Sequence, residues 1–359
     1  MKTALSLSAL LLAFVGLEAK TYKPLTLAGE VISTFEAKAN EHTPQEMVTA
    51  AEAFIKALSE EERKQLILPL DDPERKKWTN VPTKANDGGL RLGDLKKEPL
   101  QAACQLLATV LSDEGYAKAR EVMLADDLLL KSKKQAQRRG GFGCANFWLM
   151  IFGEPSATEP WAIQLDGHHI AFNLTILGEK VSMSPSFIGT QPHKFTLGEK
   201  EILPMGDETA AAFAFMASLS PEQQNIAIQE KKRGRLQTGP GTDGNPFEVT
   251  GLSAETLNEK QKNLLLDLIG LWVDDLPKQA SETRLKEIEA QLDQTTFLWK
   301  GPVQPNSDAS FHIFGPGIII EYAGQNLGGD PLDHLHSIYR DPTNEYGVKW
   351  LTPKEGNEK

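Results

Sequence analysis

The sequence has few cysteines, and they form no metal-binding pattern. Only Cys104 and Cys144 are present among 359 residues, and there is no CxxC pair. This excludes a thiolate zinc knuckle and the cysteine ligand set of an iron–sulfur cluster. The two cysteines allow at most one disulfide. Because Cys104 lies within an apolar helical pattern, a buried free thiol is the alternative.

Positive charge is also scarce. The 38 Lys and Arg residues stand against 49 Asp and Glu residues, so the net charge is -11. We expect no nucleic-acid partner, because phosphate binding needs Lys and Arg at high density on one face. The sequence contains no GxSxG motif, which argues against a serine hydrolase. The Gly- and Pro-rich segment 234–246 lacks the Lys-Ser/Thr pair of a phosphate-binding loop.

Long apolar runs are absent after the N-terminus. Residues 5–17 form an apolar run that follows Lys2 and precedes Ala19. This pattern predicts a secretory signal peptide over residues 1–19 and therefore an exported protein, either periplasmic or extracellular. The run is too short for a permanent membrane helix, so we expect no membrane span after cleavage. An apolar N-terminal helix of the fold is the alternative.

Helical and strand patterns follow one another in blocks. Residues 20–42 read as an extended arm or linker, and one domain is expected over 43–359. Its helical parts are predicted at 43–139 and 207–292, and its sheet parts at 145–200 and 295–347. This order predicts an α+β fold with helical pairs packed on a largely antiparallel β-sheet core. The oligomeric state stays open.

Four of the seven histidines fall in two short segments. His168 and His169 begin one predicted strand, and His334 and His336 lie at the start of another. Residues two apart on a strand share a face, so His334 and His336 should point the same way. His168 and His169 are adjacent and should point to opposite faces. We expect His169 to line a cleft and His168 to support it, unless the apolar face closes a pocket and the roles are exchanged.

A transition-metal site is the first functional hypothesis for these histidines. An HxH strand presents two imidazoles to one ion, and His169 would add a third, with His168 as a further candidate ligand. Zinc is the ion expected for nitrogen and carboxylate ligands, and copper or iron are alternatives. Surface or hydrogen-bonded histidines are the competing interpretation of the same residues.

Two charged residues are candidates for catalysis. Glu321 follows three isoleucines and would serve as a fourth ligand or as a general base; a charge on an edge strand is the alternative. Arg340, next to Asp341, would orient a histidine or bind an anionic substrate. A structural Arg–Asp pair before Pro342 is the alternative for this motif.

Four further residues are candidates for substrate binding. Trp161 and Gln164 would wall a pocket, although a core position is the alternative for Trp161. Asn173 shares the predicted face of His169, and Tyr322 would line the same cleft. A small-molecule ligand is therefore the expected partner.

Several segments of the chain resemble the DUF3500 family. They are WTNVP, GLRLGDL, LSDEGY, GEPSATEPWAIQLDGHHIAFN, VSMSPSFIGTQP, the Trp299-Lys300-Gly301 strand end and HLHSIYRDPTNEYG. The resemblance runs from about Trp78 to Gly347, and the GHH and HxHSxxRDPxNx[YF]G motifs are its most specific parts. The family is bacterial, often exported and of unknown function, so the resemblance implies no activity. It supports one domain and the pairing of the two histidine motifs. After Gly347 the chain departs from the longer helical ending that the resemblance implies.

Three functions are consistent with these residues. The first is an exported protein with a histidine-rich metal site, suited to a metal-dependent hydrolase in which the ion activates water. The second is a metal-free module that binds a small polar or anionic ligand in the same cleft. The third is a buried hydrogen-bond network that fixes the sheet. Whether the protein is an enzyme stays open.

Overall fold

A computed structural model describes residues 41–83, 88–244, 249–327 and 329–351, and the backbone of four short strands before residue 41. The predicted signal peptide, residues 1–19, lies outside the described residues. Within the predicted arm, β1 (Lys20–Tyr22) pairs with β4 (Phe35–Ala37), and β2 (Thr26–Leu27) pairs with β3 (Glu30–Val31). None of the described helices has the length and apolar character needed to cross a membrane.

The described residues form ten α-helices, and serine or threonine caps start several of them. Thr43, Ser59 and Ser220 each form a capping box, and the side chain of Ser112 accepts a hydrogen bond from the first turn of its helix. The helices are α1 (Pro44–Ala57), α2 (Glu60–Leu66), α3 (Lys97–Val110), α4 (Asp113–Ser132), α5 (Lys134–Arg139), α6 (Gly206–Ser218), α7 (Pro221–Ala227), α8 (Glu259–Val273), α9 (Lys278–Glu289) and α10 (Val348–Leu351).

Fourteen further strands follow the arm. They are β5 (Ile67–Leu68), β6 (Leu90–Arg91), β7 (Phe147–Phe152), β8 (Trp161–Gly167), β9 (Ile170–Leu177), β10 (Lys180–Thr190), β11 (Phe195–Leu197), β12 (Lys200–Ile202), β13 (Ile228–Glu230), β14 (Leu252–Ser253), β15 (Thr296–Lys300), β16 (Ser310–Gly315), β17 (Ile318–Gly324) and β18 (Leu335–Arg340). The strand predicted to begin near His334 and His336 is β18, and a turn at Gly178-Glu179 joins β9 to β10.

One mixed sheet of twelve strands forms the centre of the protein and confirms the predicted α+β class. Its main path runs β13-β15-β16-β17-β18-β10-β9-β8-β7-β5, with β14 beside β15 and β6 beside β7. β5 pairs with β7 in parallel, and β13 pairs with β15 in parallel. The other described pairs in this sheet are antiparallel. The two predicted sheet parts are joined where β10 pairs with β18. The predicted domain boundaries stay a prediction.

The sheet has two different faces. Ile170, Phe172 and Leu174 alternate onto one face and belong to the main core, which also contains apolar residues of α1, α3, α6 and α8. The opposite face carries Ala171 and its cross-strand neighbours, which pack in a small cluster of Trp78, Ala171, Phe187, Ile338 and Tyr346. A loop supplies Trp78 to this second face, and a short 3-10 helix, Glu345–Gly347, supplies Tyr346.

A buried charge cluster joins three helical segments on the side of the main core. The Nζ atom of Lys118 on α4 lies 2.8 Å from Glu208 on α6 and 2.9 Å from Asp275, which follows α8. It also donates to the carbonyl of Leu271 at 2.7 Å. Burial alone would lower the pKa of Lys118, but the attraction of the two carboxylates outweighs burial and raises that pKa. Lys118 therefore stays charged and holds two buried carboxylates.

We expect Lys118→Ala to destabilise the protein by about 3–5 kcal/mol, because it leaves two buried carboxylates without their cation. Urea unfolding followed by circular dichroism measures this loss. Lys64→Ala is the matched control, since its pair with Glu60 is 2.8 Å long but its side chain is 72% exposed. That change should cost less than about 1 kcal/mol. Equal losses in the two variants would contradict a stabilising role for the buried cluster.

Candidate metal centre

His168 and His169 form the turn between β8 and β9. The prediction that they begin a strand and face opposite sides is wrong, because the alternation of side chains ends with the strand. His169 has a positive φ of 70°, which turns the chain back toward β9. The two imidazole rings stack with centroids 3.6 Å apart and an angle of 28°. Both histidines therefore lie on the same side of the turn.

His334 and His336 lie at the start of β18, where His334 immediately precedes the strand. Their rings meet edge to face with centroids 4.6 Å apart, in agreement with the predicted shared face. Both rings reach the ring of His169, at 4.9 Å for His334 and 5.0 Å for His336. We call His168, His169, His334 and His336 the histidine cluster.

Gly189 allows the two histidine motifs to approach each other. It pairs with His336 across β10 and β18, and its amide donates to the carbonyl of His169 at 2.8 Å. A Cβ atom at this position would lie 2.8 Å from Cδ2 of His336 and 3.0 Å from Cδ2 of His169. The missing side chain therefore leaves the space that the two imidazoles use.

Three members of the cluster have the spacing of metal ligands. One ring nitrogen from each of His168, His169 and His334 lies within 4.8 Å of the others, and all three residues are buried. Among the described residues, these three form the one group of His, Cys, Asp or Glu side chains that lie close enough together to hold an ion. The sequence analysis predicted His169, His334 and His336 as the three ligands. The structure instead groups His168 with His169 and His334.

Hydrogen bonds fix the orientation of two of these imidazoles. Nδ1 of His168 lies 2.5 Å from Oδ1 of Asp126, whose other oxygen accepts from the amide of Gly143 at 2.6 Å. Nδ1 of His334 lies 2.5 Å from the carbonyl oxygen of Leu327. A carbonyl oxygen only accepts, so Nδ1 of His334 carries the hydrogen and its neutral ring has a lone pair at Nε2. Partners of this kind orient histidine ligands in metal proteins.

His169 cannot satisfy both of its ring nitrogens within the protein. Its Nε2 lies 2.9 Å from Nε2 of His334, and its buried Nδ1 has no hydrogen-bond partner. A hydrogen on Nε2 would leave the Nδ1 lone pair unpaired, and a hydrogen on Nδ1 would place two lone pairs against each other. Nε2 of His336 is likewise buried without a partner. An ion bound at the converging Nε2 atoms would remove the repulsion between lone pairs.

Burial keeps the imidazoles of His169, His334 and His336 neutral. Desolvation, followed by the proximity of the other imidazoles, lowers the pKa of His169 and of His336 well below the usual value. Burial also lowers the pKa of His334 to about 4, although its hydrogen bond to Leu327 opposes the shift. An imidazole binds a metal ion only in its neutral form, so the rings of His169, His334 and His336 are ready to bind an ion at neutral pH.

The two candidate catalytic residues lie outside this group and hold a loop. Glu321 is fully buried and accepts hydrogen bonds from the amides of Gln237 and Thr238 and from the Thr238 hydroxyl. Its oxygen also lies 3.6 Å from Nδ1 of His312. Arg340 is buried and donates to four oxygens of the same region, from Thr238, Gly239, Asp243 and Glu345, with the shortest contact at 2.5 Å. Asp341 instead pairs with Arg284 at 3.2 Å.

The candidate substrate-binding residues do not form one cleft. Trp161 is fully buried in the main core, whereas Gln164 lies on the opposite face of β8, so the expectation that they wall one pocket is wrong. Gln164 donates to Asn173 at 2.6 Å, and Asn173 donates to the carbonyl of Pro185 at 2.8 Å. Tyr322 lies on the core side of β17, bonded to Thr209 at 2.6 Å.

Sequence reasoning missed Asp126 and Gly189. Asp126 is fully buried on α4, and the available signal was the pair Asp126-Asp127 within the apolar stretch LADDLLL. Buried acids on an apolar helix face need partners, which points to a network. Cys104 and Cys144 are both buried, and no disulfide joins them.

Comparison with known proteins gives one family. Residues 40–348, most of the chain, match the model of a family described as "Protein of unknown function (DUF3500)". The matched range includes both histidine motifs, at 167–169 and 334–336. No curated protein and no solved structure matches the chain.

Proposed function

This chain belongs to the DUF3500 family, and we propose that it binds one transition-metal ion at the histidine cluster. The observation that carries the proposal is the 2.9 Å approach of the buried Nε2 atoms of His169 and His334. Because the hydrogen of His334 is on Nδ1, its lone pair points at His169. A cation bound by both Nε2 atoms would replace this contact with two metal–nitrogen bonds, and the hydrogen of His169 would then be on Nδ1.

His168, His169 and His334 are the proposed ligands, each through Nε2. Two nitrogens on a tetrahedral zinc ion, each at about 2.0–2.1 Å, lie about 3.3–3.4 Å apart. The 2.9 Å pair of His169 and His334 therefore needs to open only slightly. The full group spans up to 4.8 Å, so binding of the ion requires its most distant nitrogens to move closer together. His336, whose Nε2 is buried and unpartnered, is the candidate fourth ligand.

Zinc is the proposed ion, since the ligands are neutral imidazoles with no thiolate or carboxylate among them. Copper and iron also bind imidazole and are alternatives. Asp126 would act as the carboxylate behind a histidine ligand, which orients the ring and raises its basicity. The Leu327 carbonyl has the same place behind His334.

Metal binding is better supported than hydrolysis. A hydrolytic zinc ion needs an open position for water and room for a substrate. Five of the cavities among the described residues have no member of the histidine cluster in their lining. The metal-dependent hydrolase stays a prediction. The metal-free alternative also needs a cleft at these histidines, so the same observation favours the ion.

We predict about one equivalent of zinc per chain in protein purified without a histidine tag. Inductively coupled plasma mass spectrometry measures the content of each transition metal in the same sample. The double variant His169→Ala/His334→Ala should retain less than about 0.2 equivalents, because it removes two of three ligands.

His42→Ala is the control for that measurement, since His42 lies outside the cluster and contacts the Thr109 carbonyl at 2.8 Å. This variant should keep the wild-type metal content. Wild-type protein that binds no transition metal, even after incubation with zinc and dialysis, would refute the proposal.

Asp126→Asn should weaken zinc binding about 10–100-fold, because the carboxylate behind His168 loses its charge. Competition with a fluorescent chelator measures the affinity. Asp127→Asn is the matched control: Asp127 is the neighbouring buried acid on α4, and it accepts from the Cys144 amide at 2.9 Å. A purely structural role for Asp126 predicts equal effects of the two variants on zinc affinity.

Export is a second proposal, supported by the apolar run at residues 5–17 behind Lys2. We predict that the mature protein begins at Lys20 and is recovered outside the cytoplasm. Cell fractionation followed by N-terminal sequencing measures both. Cytoplasmic protein that retains residues 1–19 would overturn this proposal.

A further inference from the structure

We propose that a second site, independent of the metal centre, binds a small neutral ring compound with one hydrogen-bonding group. The site is a cavity of about 370 Å³ between α6, the sheet and the loops around residues 193, 306 and 332. This volume lies within the range of small-molecule pockets, about 300–1,000 Å³. The proposal does not depend on metal binding by the histidine cluster.

Aromatic side chains form one wall of this cavity. Trp299, Phe311 and Tyr322 lie opposite one another on β15, β16 and β17. Their rings are nearly parallel, with angles of 10° and 12° between neighbours and centroids 6.3 and 5.1 Å apart. Phe213 of α6 meets Trp299 edge to face at 5.0 Å. A planar apolar ligand can contact such a wall by stacking or by edge-to-face packing.

Two residues of the cavity lining, His193 and Tyr322, carry a polar atom with capacity for a ligand. Nδ1 of His193 is buried and has no hydrogen-bond partner. The His193 backbone is held by the hydrogen bond that its amide donates to the Asp333 carbonyl at 3.0 Å. The Thr209 hydroxyl donates to the Met205 carbonyl, so it accepts from Tyr322 and leaves the lone pairs of the Tyr322 oxygen available. A buried unpaired nitrogen is costly, and a ligand hydroxyl would satisfy it.

The remaining lining residues favour a neutral and apolar ligand. Leu203 and Leu332 both line the cavity and are both 39% exposed, so an apolar edge faces solvent. The charged residues of the lining already have partners: Lys194 contacts Glu201 at 2.6 Å, and Asp308 contacts Arg233 at 2.5 Å. An anionic ligand would therefore have to compete with a carboxylate for Lys194.

The cavity and the metal centre lie on opposite sides of the same strand. Leu335 lines the cavity, whereas its neighbours His334 and His336 belong to the histidine cluster. Variants of α6 or of His193 should therefore leave the zinc content unchanged. This separation makes failure of the cavity proposal distinguishable from failure of the metal proposal.

Isothermal titration of the full chain with 2-naphthol tests the proposal. We expect one saturable site per chain, and at least about tenfold weaker binding of 2-naphthoate, which has the same ring and a negative charge. Ala212→Leu, which adds bulk to the cavity wall, should weaken 2-naphthol binding by at least about tenfold. His193→Ala should weaken it about fivefold, the value of one hydrogen bond.

Leu197→Ala is the control, because Leu197 is 45% exposed and does not line the cavity. It should bind 2-naphthol as the wild type does, and circular dichroism establishes that each variant is folded. If Ala212→Leu does not fold, His193→Ala and the comparison with 2-naphthoate decide the question. Absence of saturable binding, equal binding of 2-naphthoate, or folded variants that both bind like the wild type would overturn the proposal.

Discussion

The pairing of β10 with β18 is the interaction on which the histidine cluster depends. Phe187 lies opposite Ile338 and Gly189 lies opposite His336, so the register brings together histidines that are 165 residues apart in sequence. A shift of one residue would move every side chain of β18 to the other face of the sheet. His336 would then point into the main core, and the approach that Gly189 permits would be lost.

Burying the imidazoles of the histidine cluster is unfavourable in free energy, and their hydrogen bonds offset this cost only in part. Burying polar groups is unfavourable unless they are hydrogen-bonded, and four imidazoles are packed here within contact of one another. Asp126 and the Leu327 carbonyl each satisfy one nitrogen. The Nε2 atoms of His169 and His334 lie 2.9 Å apart, a contact that a shared proton or a bound cation stabilises. This arrangement is the physical basis for the proposed metal site.

Much of the local structure could be predicted from the sequence, because the signals are local. Capping residues and apolar periodicity marked α1 to α4, and alternation with turn residues marked β10 and β18. The turn at His168-His169 was missed because GHHIAFN reads as a continuous strand. The contact of Asp126 with His168 spans 42 residues and joins a helix to a turn, so no sequence period indicates it. Glu321 and Arg340 lie on strands, as predicted. In the folded protein they bind the loop around residues 237–243 and not the histidine cluster.

Anomalous diffraction at the zinc absorption edge tests the central claim most directly, using crystals of protein grown with equimolar zinc. Binding at the histidine cluster predicts one strong peak about 2.0–2.1 Å from Nε2 of His168, His169 and His334. A peak elsewhere, or a cluster of ordered imidazoles with no peak among them, would contradict it.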